Sequence, residues 1–303
     1  MFRNLMMFRF PPSTSDLLPR LAYSTEPLML RTPGPLEFAT RGFVPVIGDE
    51  FVVKAGNCLL FAVGTEERLL PASVISVALT ERIKKICQEE DRRVGGKERK
   101  RLREEVVTDL LPRAFVERKS TRAYVDLASG WLVIDTTSRG VAEGVVSQVR
   151  EALGRFPAVS PAPEESPRAV MTDWLAPRGA AMPADFSLGS ECELRLPGED
   201  GAKWKGTFVD LEGDEVGEHL GAGMMACALG LEFDDRLGFV LTEELSIRKF
   251  KMFDVVLDTL DSEHYETGLA ELQARLALLA GELSRLQERL SGIFGLSRPE
   301  DRA

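Results

Sequence analysis

Apolar and polar positions alternate along the chain in stretches of two kinds. Phe2, Met6, Phe8 and Phe10 occupy even positions, as a half-buried strand places them, and Pro11-Pro12 ends that run. Residues 13–22 read as a short helix. Short strands are predicted at 42–46, 50–54, 58–63 and 68–70, with turns at Ala55-Gly56-Asn57 and Gly64-Thr65-Glu66-Glu67. The period then changes. Val74, Ala78, Leu79, Ile83 and Ile86 recur at helical spacing and predict a helix over 72–92, which Gly95-Gly96 breaks. Leu102, Val106 and Leu110 lie at i, i+4 and i+8, so 97–111 reads as a second amphipathic helix, stopped by Pro112. The two form a helical hairpin.

Strands over 122–127 and 131–135 flank Ala128-Ser129-Gly130 as a β-hairpin, and 140–154 is helical. The stretch FPAVSPAPEESP at 156–167 holds four prolines, reads as a stiff connector, and is the clearest boundary candidate. Beyond it, strands are predicted at 193–196 and 204–210, a helix at 212–220, a hairpin from 225–233 and 239–242, and a strand at 246–253. The hairpins 124–135 and 231–242 share an apolar strand, an acidic turn with glycine and an aromatic-led strand. This is either a faint internal repeat or the ordinary look of antiparallel hairpins. In the tail, Leu269, Leu272, Leu276, Leu279, Leu283, Leu286, Leu290 and Ile293 keep a heptad seam flanked by Glu282, Arg285, Glu288 and Arg289. It reads first as a long helix laid on its own domain, with a coiled coil or subunit contact as the alternative.

The fold class that emerges is α+β, with antiparallel sheet regions, a basic helical hairpin and a long C-terminal helix. The expected divisions are 1–71 (strand-rich), 72–112 (helical hairpin), 113–156 (hairpin plus helix), 157–168 (connector), 169–260 (second α+β part) and 261–303 (C-terminal helix).

Composition narrows the chemistry. The 303 residues are 44% apolar and 28% charged, enough for a core without metal or disulfide. Cys58, Cys87, Cys192 and Cys227 form no C-x-x-C and read as reduced, buried thiols. His219 and His264 are the only histidines, which leaves little room for a histidine-dependent metal site or nucleophile relay. No apolar run approaches the length of a membrane span, and Arg3 and Arg9 interrupt the N-terminus where a signal peptide would be continuous. A cytoplasmic location is expected, with no cofactor, no metal, no small-molecule substrate and no catalytic residue assigned.

The net charge of −10 argues against a nucleic-acid partner until its distribution is examined. Residues 82–122 hold fourteen Lys and Arg against eight Asp and Glu, a balance of +6, while the remainder carries −16. Arg82, Lys85, Arg92, Arg93, Arg99, Arg103, Arg113, Arg118 and Lys119 fall in this segment. A second basic run is Arg248, Lys249 and Lys251, and Lys203 and Lys205 flank Trp204. Cations at this density suit phosphates, whose neutralisation releases counterions; the plainer alternative is a solvated hairpin of mixed charge. No zinc finger, glycine-rich phosphate loop or aromatic RNA-binding motif accompanies them, which favours backbone contact over base reading.

Particular words of the chain carry a family resemblance: FRNLMMFR at 2–9, EERLLPASVI at 66–75, LLPRAF at 110–115, VDLASGWLVID at 125–135, TDWL at 172–175 and SIRKFK at 246–251. In this order and spacing, over residues 2 to about 254, the chain resembles the bacterial recombination-associated RdgC family. The resemblance implies a non-enzymatic, nucleoid-associated protein that binds double-stranded DNA without sequence preference. It implies a ring-shaped homodimer that encircles the duplex and antagonises RecA. The helical hairpin would be the tip, its arginines would line the hole, and Phe115 would close a subunit contact, unless it is an ordinary core phenylalanine. Arg113 would either meet phosphate or cap the preceding helix. Family members can carry basic and amide residues just before the aspartate and leucine matching Asp210 and Leu211; here Phe208 and Val209 stand there, and no DNA role passes to them.

Two rivals stand beside this reading. Asp126, Asp135, Asp234, Asp235, Glu243 and Glu244 supply carboxylates that a two-metal nuclease would need clustered. Alternatively, the heptad seam and acidic remainder suit a protein-interaction module that inhibits RecA directly, with incidental DNA contact.

Overall fold

The computed structural model describes residues 2–176, 182–198, 201–261 and 265–300. In chain order it contains β1 (Leu5–Arg9), the one-turn helix α1 (Leu21–Ser24), β2 (Ala39–Val44), β3 (Val52–Ala55), β4 (Cys58–Leu69), α2 (Ala72–Glu90), α3 (Gly96–Leu110), β5 (Phe115–Asp126), β6 (Trp131–Asp135), α4 (Arg139–Leu153), α5 (Pro167–Leu175), β7 (Phe186–Arg195), β8 (Lys203–Thr207), α6 (Asp214–Gly221), β9 (Met225–Phe233), β10 (Leu237–Thr242), β11 (Ile247–Met252), α7 (Asp254–Asp261) and α8 (Gly268–Phe294). The fold is mixed, with an antiparallel sheet and a long C-terminal helix. The chain divides into two compact units: one of Met1–Ser24, Pro45–Ala62 and Thr121–Ala303, the other of Thr25–Val44 and Val63–Ser120.

In the larger unit the strand order from β5 runs β5-β6-β1-β11-β10-β9-β7-β8, antiparallel at every step. The N-terminal strand is therefore internal, with Leu5 facing Asp135 on β6 and Ile247 on β11. This corrects the half-buried reading. Leu5 and Met7 on one face and Phe8 on the other are all buried, because an internal strand covered on both faces loses its polar alternation. Residues 13–22 do not form one helix: Pro12 and Pro19 each open a short 3-10 turn, and α1 starts only at Leu21.

Helix α8 resolves the heptad. Leu276, Leu279, Leu283, Leu286 and Leu290 are buried within the unit, and the Gln287 amide donates to Met7 Sδ at 3.5 Å. At roughly 1.5–3 kcal/mol per fully buried leucine, this seam is a major part of the core. Thr267 caps its start by accepting from the Ala270 N–H, and Gly295, at φ 65°, ends it. Glu282, read from sequence as a flanking charge, is buried and meets Arg236 and Arg285. The proline-bearing stretch is tied down in this unit: Val159 and Arg9 exchange backbone hydrogen bonds, Glu164 N–H donates to Phe294 O, and Ser166 caps α5. All four cysteines are free thiols; Cys58, Cys192 and Cys227 are buried and Cys87 is partly so.

The smaller unit contains β2, the later part of β4, the earlier part of β5, and the helices α2 and α3. The predicted turn at Gly64 is absent, and β4 runs through it unbroken. A Cβ there would lie 2.6 Å from Val44 Cγ1 and 2.7 Å from Leu30 Cδ2, so this glycine serves close packing. Strand β5 likewise starts earlier than predicted, at Phe115, because its first residues are polar or exposed on both faces and carry no period.

Candidate nucleic-acid interface

Ile75 and Leu79 of α2 and Leu102 and Val106 of α3 form the buried seam of the helical hairpin. Asp91, at φ 45°, ends α2. With the apolar positions turned inward, the charges are held on the outer surface, and they fall into two classes.

The first class is already paired. Arg82 reaches Asp109 at 2.7 Å and Glu105 at 3.5 Å, joining the two helices. Lys85 meets Glu89 at 3.8 Å and Arg101 meets Glu105 at 3.4 Å, each one turn apart. Arg92 is held by Glu98 and Glu90, both at 2.6 Å. Those hydrogen bonds push the Arg92 guanidinium above its ordinary range, Glu98 contributing most, and hold the Glu98 carboxyl below its own. The second class is exposed and has no carboxylate within 4 Å among the described residues: Arg93, Arg99 and Arg103, with Lys84, Lys97 and Lys100. An unpaired exposed cation can meet a phosphate without first giving up a partner.

Around the start of β5 the pattern repeats. Arg118 lies 3.9 Å from Glu66, and Lys119 lies 2.8 Å from Glu117. Arg113 is exposed and without an ion pair among the described residues. The capping role considered for it belongs to Arg68, whose guanidinium donates to Leu111 O at 3.0 Å, to Pro112 O, and to Pro33 O at 3.0 Å. Nothing in the sequence marked Arg68 for this, since its acceptors are backbone carbonyls more than thirty residues away. Phe115 is 85% exposed, so the core reading of that residue falls. Leu36, Phe38, Leu69 and Val116 of the same unit are exposed as well.

In the larger unit, β11 presents Arg248, Lys249 and Lys251. Arg248 meets Glu193 at 3.3 Å, Lys249 meets Glu191, and Lys251 lies 4.9 Å over the Phe253 ring. Lys205 also reaches Glu193, at 2.9 Å. Of the six carboxylates weighed for metal chemistry, four are engaged elsewhere, and Asp235 and Glu244 are exposed. Asp126 accepts from the Ala128 and Ser129 N–H groups and from Ser129 Oγ, closing its own turn. Asp135 accepts from the N–H groups of Arg3 and Asn4. Asp234 pairs with Arg285, and Glu243 with Arg168 and Arg195. Among the described residues, no three His, Cys, Asp or Glu side chains come together as a metal site. The His219 ring lies tilted against Trp204, with ring centroids 4.7 Å apart, and His264 lies outside the described residues. No helix among the described residues is long and apolar enough to cross a membrane.

Charge follows the division into units. The smaller unit holds sixteen Lys and Arg against thirteen Asp and Glu, net +3; the larger is left at −13.

Comparison with known proteins bears on the whole length. The family model described as "Putative exonuclease, RdgC" matches residues 1–297. The "Recombination-associated protein RdgC" of Xanthomonas axonopodis pv. citri (strain 306) is 41% identical over 303 residues, 99% of each chain. The protein of the same name from Xanthomonas campestris pv. campestris (strain B100) is 40% identical over 308 residues, and that from Stenotrophomonas maltophilia (strain R551-3) is 38% identical, again over 99% of each chain. The words that carried the resemblance thus sit inside a match that spans both units, and the chain belongs to the RdgC family of recombination-associated proteins.

Proposed function

We propose that this protein binds duplex DNA without sequence preference, as a homodimer that closes around the duplex, and that occupying the duplex restrains RecA-driven strand exchange. The observation that carries the reading is the segregation of charge: a unit of net +3 with exposed, unpaired Arg93, Arg99, Arg103 and Arg113, in a chain otherwise at −13. Phosphate contact through such cations releases counterions and needs no base reading. The acidic remainder repels DNA from other surfaces and so directs it to the basic ones. Arg82, Lys85, Arg92, Arg118 and Lys119 act as a reserve whose carboxylates must yield first, and Arg248, Lys249 and Lys251 add contacts from β11.

The exposed Phe115, with Leu36, Phe38, Leu69 and Val116 in the same unit, supports a subunit contact, since apolar side chains left in water in one region mark an association surface. Phe115→Ser is expected to loosen the dimer in sedimentation equilibrium; an unaltered dissociation constant removes Phe115 from the interface. Five of the eight residues of the heptad seam, which favoured direct protein inhibition of RecA, are buried inside the chain, which supports the DNA reading over that one. We read the role as non-catalytic and nucleoid-associated.

The test is binding to a labelled random-sequence duplex across a salt series, with linear and closed-circular competitors. Steep salt dependence and slower escape from circles are expected. No binding at low salt overturns the reading, and robust Mg²⁺-dependent degradation of the duplex replaces it with a nuclease.

A further inference from the structure

Four arginines among the described residues bury an Nε–H that finds no acceptor: Arg9, Arg68, Arg195 and Arg248. Arg195 and Arg248 each meet a glutamate, and Arg68 donates to four backbone carbonyls. Arg9 has neither compensation. It sits half-buried at the end of β1 in the larger unit, and among the described residues no carboxylate comes within 4 Å of it. Of its five N–H donors, only one on Nη1 reaches an acceptor, Ser129 O at 2.8 Å. Its Cζ lies 4.3 Å from the centre of the Trp131 ring on the neighbouring strand.

A second guanidinium comes to the same turn. Arg298 donates to Ala128 O at 3.2 Å, to Phe10 O at 3.0 Å and to Ser15 Oγ at 3.1 Å, and it too has no carboxylate within 4 Å among the described residues. Burial, and after it the charge of Arg298, push the Arg9 guanidinium down to about 10. A cation drawn out of water is ordinarily paired. Arg9 is drawn out of water and faces a like charge, in a unit of net −13 where carboxylates are plentiful.

A pocket of about 320 Å³ opens beside it, lined by Arg9, Ser129 and Trp131 from the sheet and its turn and by Ser284, Glu288 and Ser291 from α8. The Ser129 and Ser291 hydroxyls donate within the chain, to Asp126 and to Gln287 O, while the Ser284 hydroxyl has no partner among the described residues. Glu288, the carboxylate of this lining, is exposed; its single charge cannot balance two guanidiniums, and it stays beyond 4 Å of both. A phosphate with a free end carries close to two negative charges at neutral pH and accepts hydrogen bonds on three oxygens. It therefore matches a planar guanidinium fork beside a free hydroxyl.

We infer that this pocket binds a phosphate group carrying two charges, with Arg9 and the Ser284 hydroxyl as its donors and Arg298 adding charge from the adjoining turn. Such a phosphate is either the free anion or the terminal phosphate of a nucleic acid. For the first, the native protein, Arg9→Gln, Glu288→Gln and the charge-matched control Arg20→Gln are melted in inorganic phosphate at about 20 mM and in chloride of equal ionic strength. Phosphate should raise the melting temperature of the native protein and of Arg20→Gln by roughly 2–4 °C, as for a dissociation constant of about 1 mM, and that of Arg9→Gln by less than about 1 °C. Glu288→Gln, which removes a repelling carboxylate, should gain more than the native protein. In chloride Arg9→Gln should melt no lower than the native protein, because an uncompensated charge has been removed. For the second source, affinity is compared between a short duplex with phosphorylated ends and the same duplex with hydroxyl ends. A preference for the phosphorylated ends that Arg9→Gln loses assigns the pocket to a nucleic-acid terminus, and no preference beside an intact phosphate gain assigns it to the free anion. Equal phosphate gains in Arg9→Gln and Arg20→Gln, with no preference for phosphorylated ends, overturn the inference. A Glu288→Gln protein that melts lower in chloride and gains no more from phosphate than the native protein makes Glu288 the counter-ion of Arg9, and overturns it as well. Should Arg9→Gln fail to fold, Ser284→Ala takes its place in both comparisons, with a reduced phosphate gain expected and an unaltered one overturning the inference. The duplex-binding reading rests on other cations and stands or falls separately.

Discussion

The division of cations into paired and unpaired classes predicts which arginines govern the salt dependence of the proposed DNA binding. Replacing Arg93, Arg99 and Arg103 together with glutamine removes three exposed cations that have no carboxylate within 4 Å among the described residues. Each lost phosphate contact lowers the slope of log K against log salt by about 0.9, so the triple variant should lose up to about 2.7 in slope. Salt weakens binding less in that variant. Over a fourfold rise from about 50 to 200 mM, each contact is worth about 3.5-fold, and three are worth about 40-fold. Net charge alone would also weaken binding, so the comparison needs a matched control. Arg20, Lys54 and Arg155 are exposed cations of the acidic unit, and replacing them with glutamine changes the net charge equally. A second control removes a whole pair, Arg82→Gln with Asp109→Asn, and leaves the charge unchanged. Fluorescence anisotropy on one duplex across the salt range reads all four proteins. The reasoning predicts a reduced slope in the first triple variant and a near-native slope in both controls. Equal slopes in the two triple variants would refute it, because the effect would then be net charge and not contact.

Three further outcomes follow from the packing and the carboxylates. Glu282→Ala strands Arg236 beside the core while Arg285 keeps Asp234, and because the Arg236 guanidinium is partly exposed the cost should be about 2 kcal/mol in urea unfolding, below the full penalty of a buried pair; less than about 0.5 kcal/mol would mean the pair is neutral. Burial pushes the Cys58 and Cys192 thiols up to about 12, so alkylation at pH 8 followed by mass spectrometry should modify Cys87 first and reach the other two only on unfolding. The Glu37 carboxyl is held at about 2 by hydrogen bonds from Arg31 and the Gly34 N–H, and Asp185 is held low by Arg289. These groups bind protons more readily when unfolded, so their stabilisation is complete above the ordinary carboxylate range and fades as pH falls from about 4 towards 2; a melting temperature that stays level over that interval would contradict it.

The elements that could be read in the sequence are those whose burial imposes one period. Leu79, Leu102 and Val106, and the leucines of α8 each face a core on one side, and that one-sidedness is the signal; in α2 the buried partner of Leu79 is Ile75, while Val74, which the period had picked, is exposed. Where burial is two-sided or absent the signal vanishes. Strand β1 is covered on both faces, and Phe115 to Ser120 is covered on neither. Gly64 misled for a related reason: a glycine that admits Val44 is indistinguishable in sequence from one that turns the chain. The candidate interface was legible as a count of charges and opaque as chemistry. Arg82 and Asp109 are 27 residues apart, and only the packing of α2 on α3 shows that this arginine is occupied while Arg99 is not.

The position of β1 sets a timetable for biosynthesis. Leu5 pairs with Ile247, 242 residues later, and Met7 and Phe10 then wait for Gln287 and Arg298. At about 5–20 residues per second, a ribosome needs roughly 12–50 s to deliver β11 after β1 has been made. During that interval one edge of an apolar strand is open and its face towards α8 is bare. The larger unit therefore completes its core only once α8 has been made, and chains interrupted before α8 should be recognised by chaperones or proteases as unfinished. The internal place of β1 is thus completed only by residues made more than two hundred positions later.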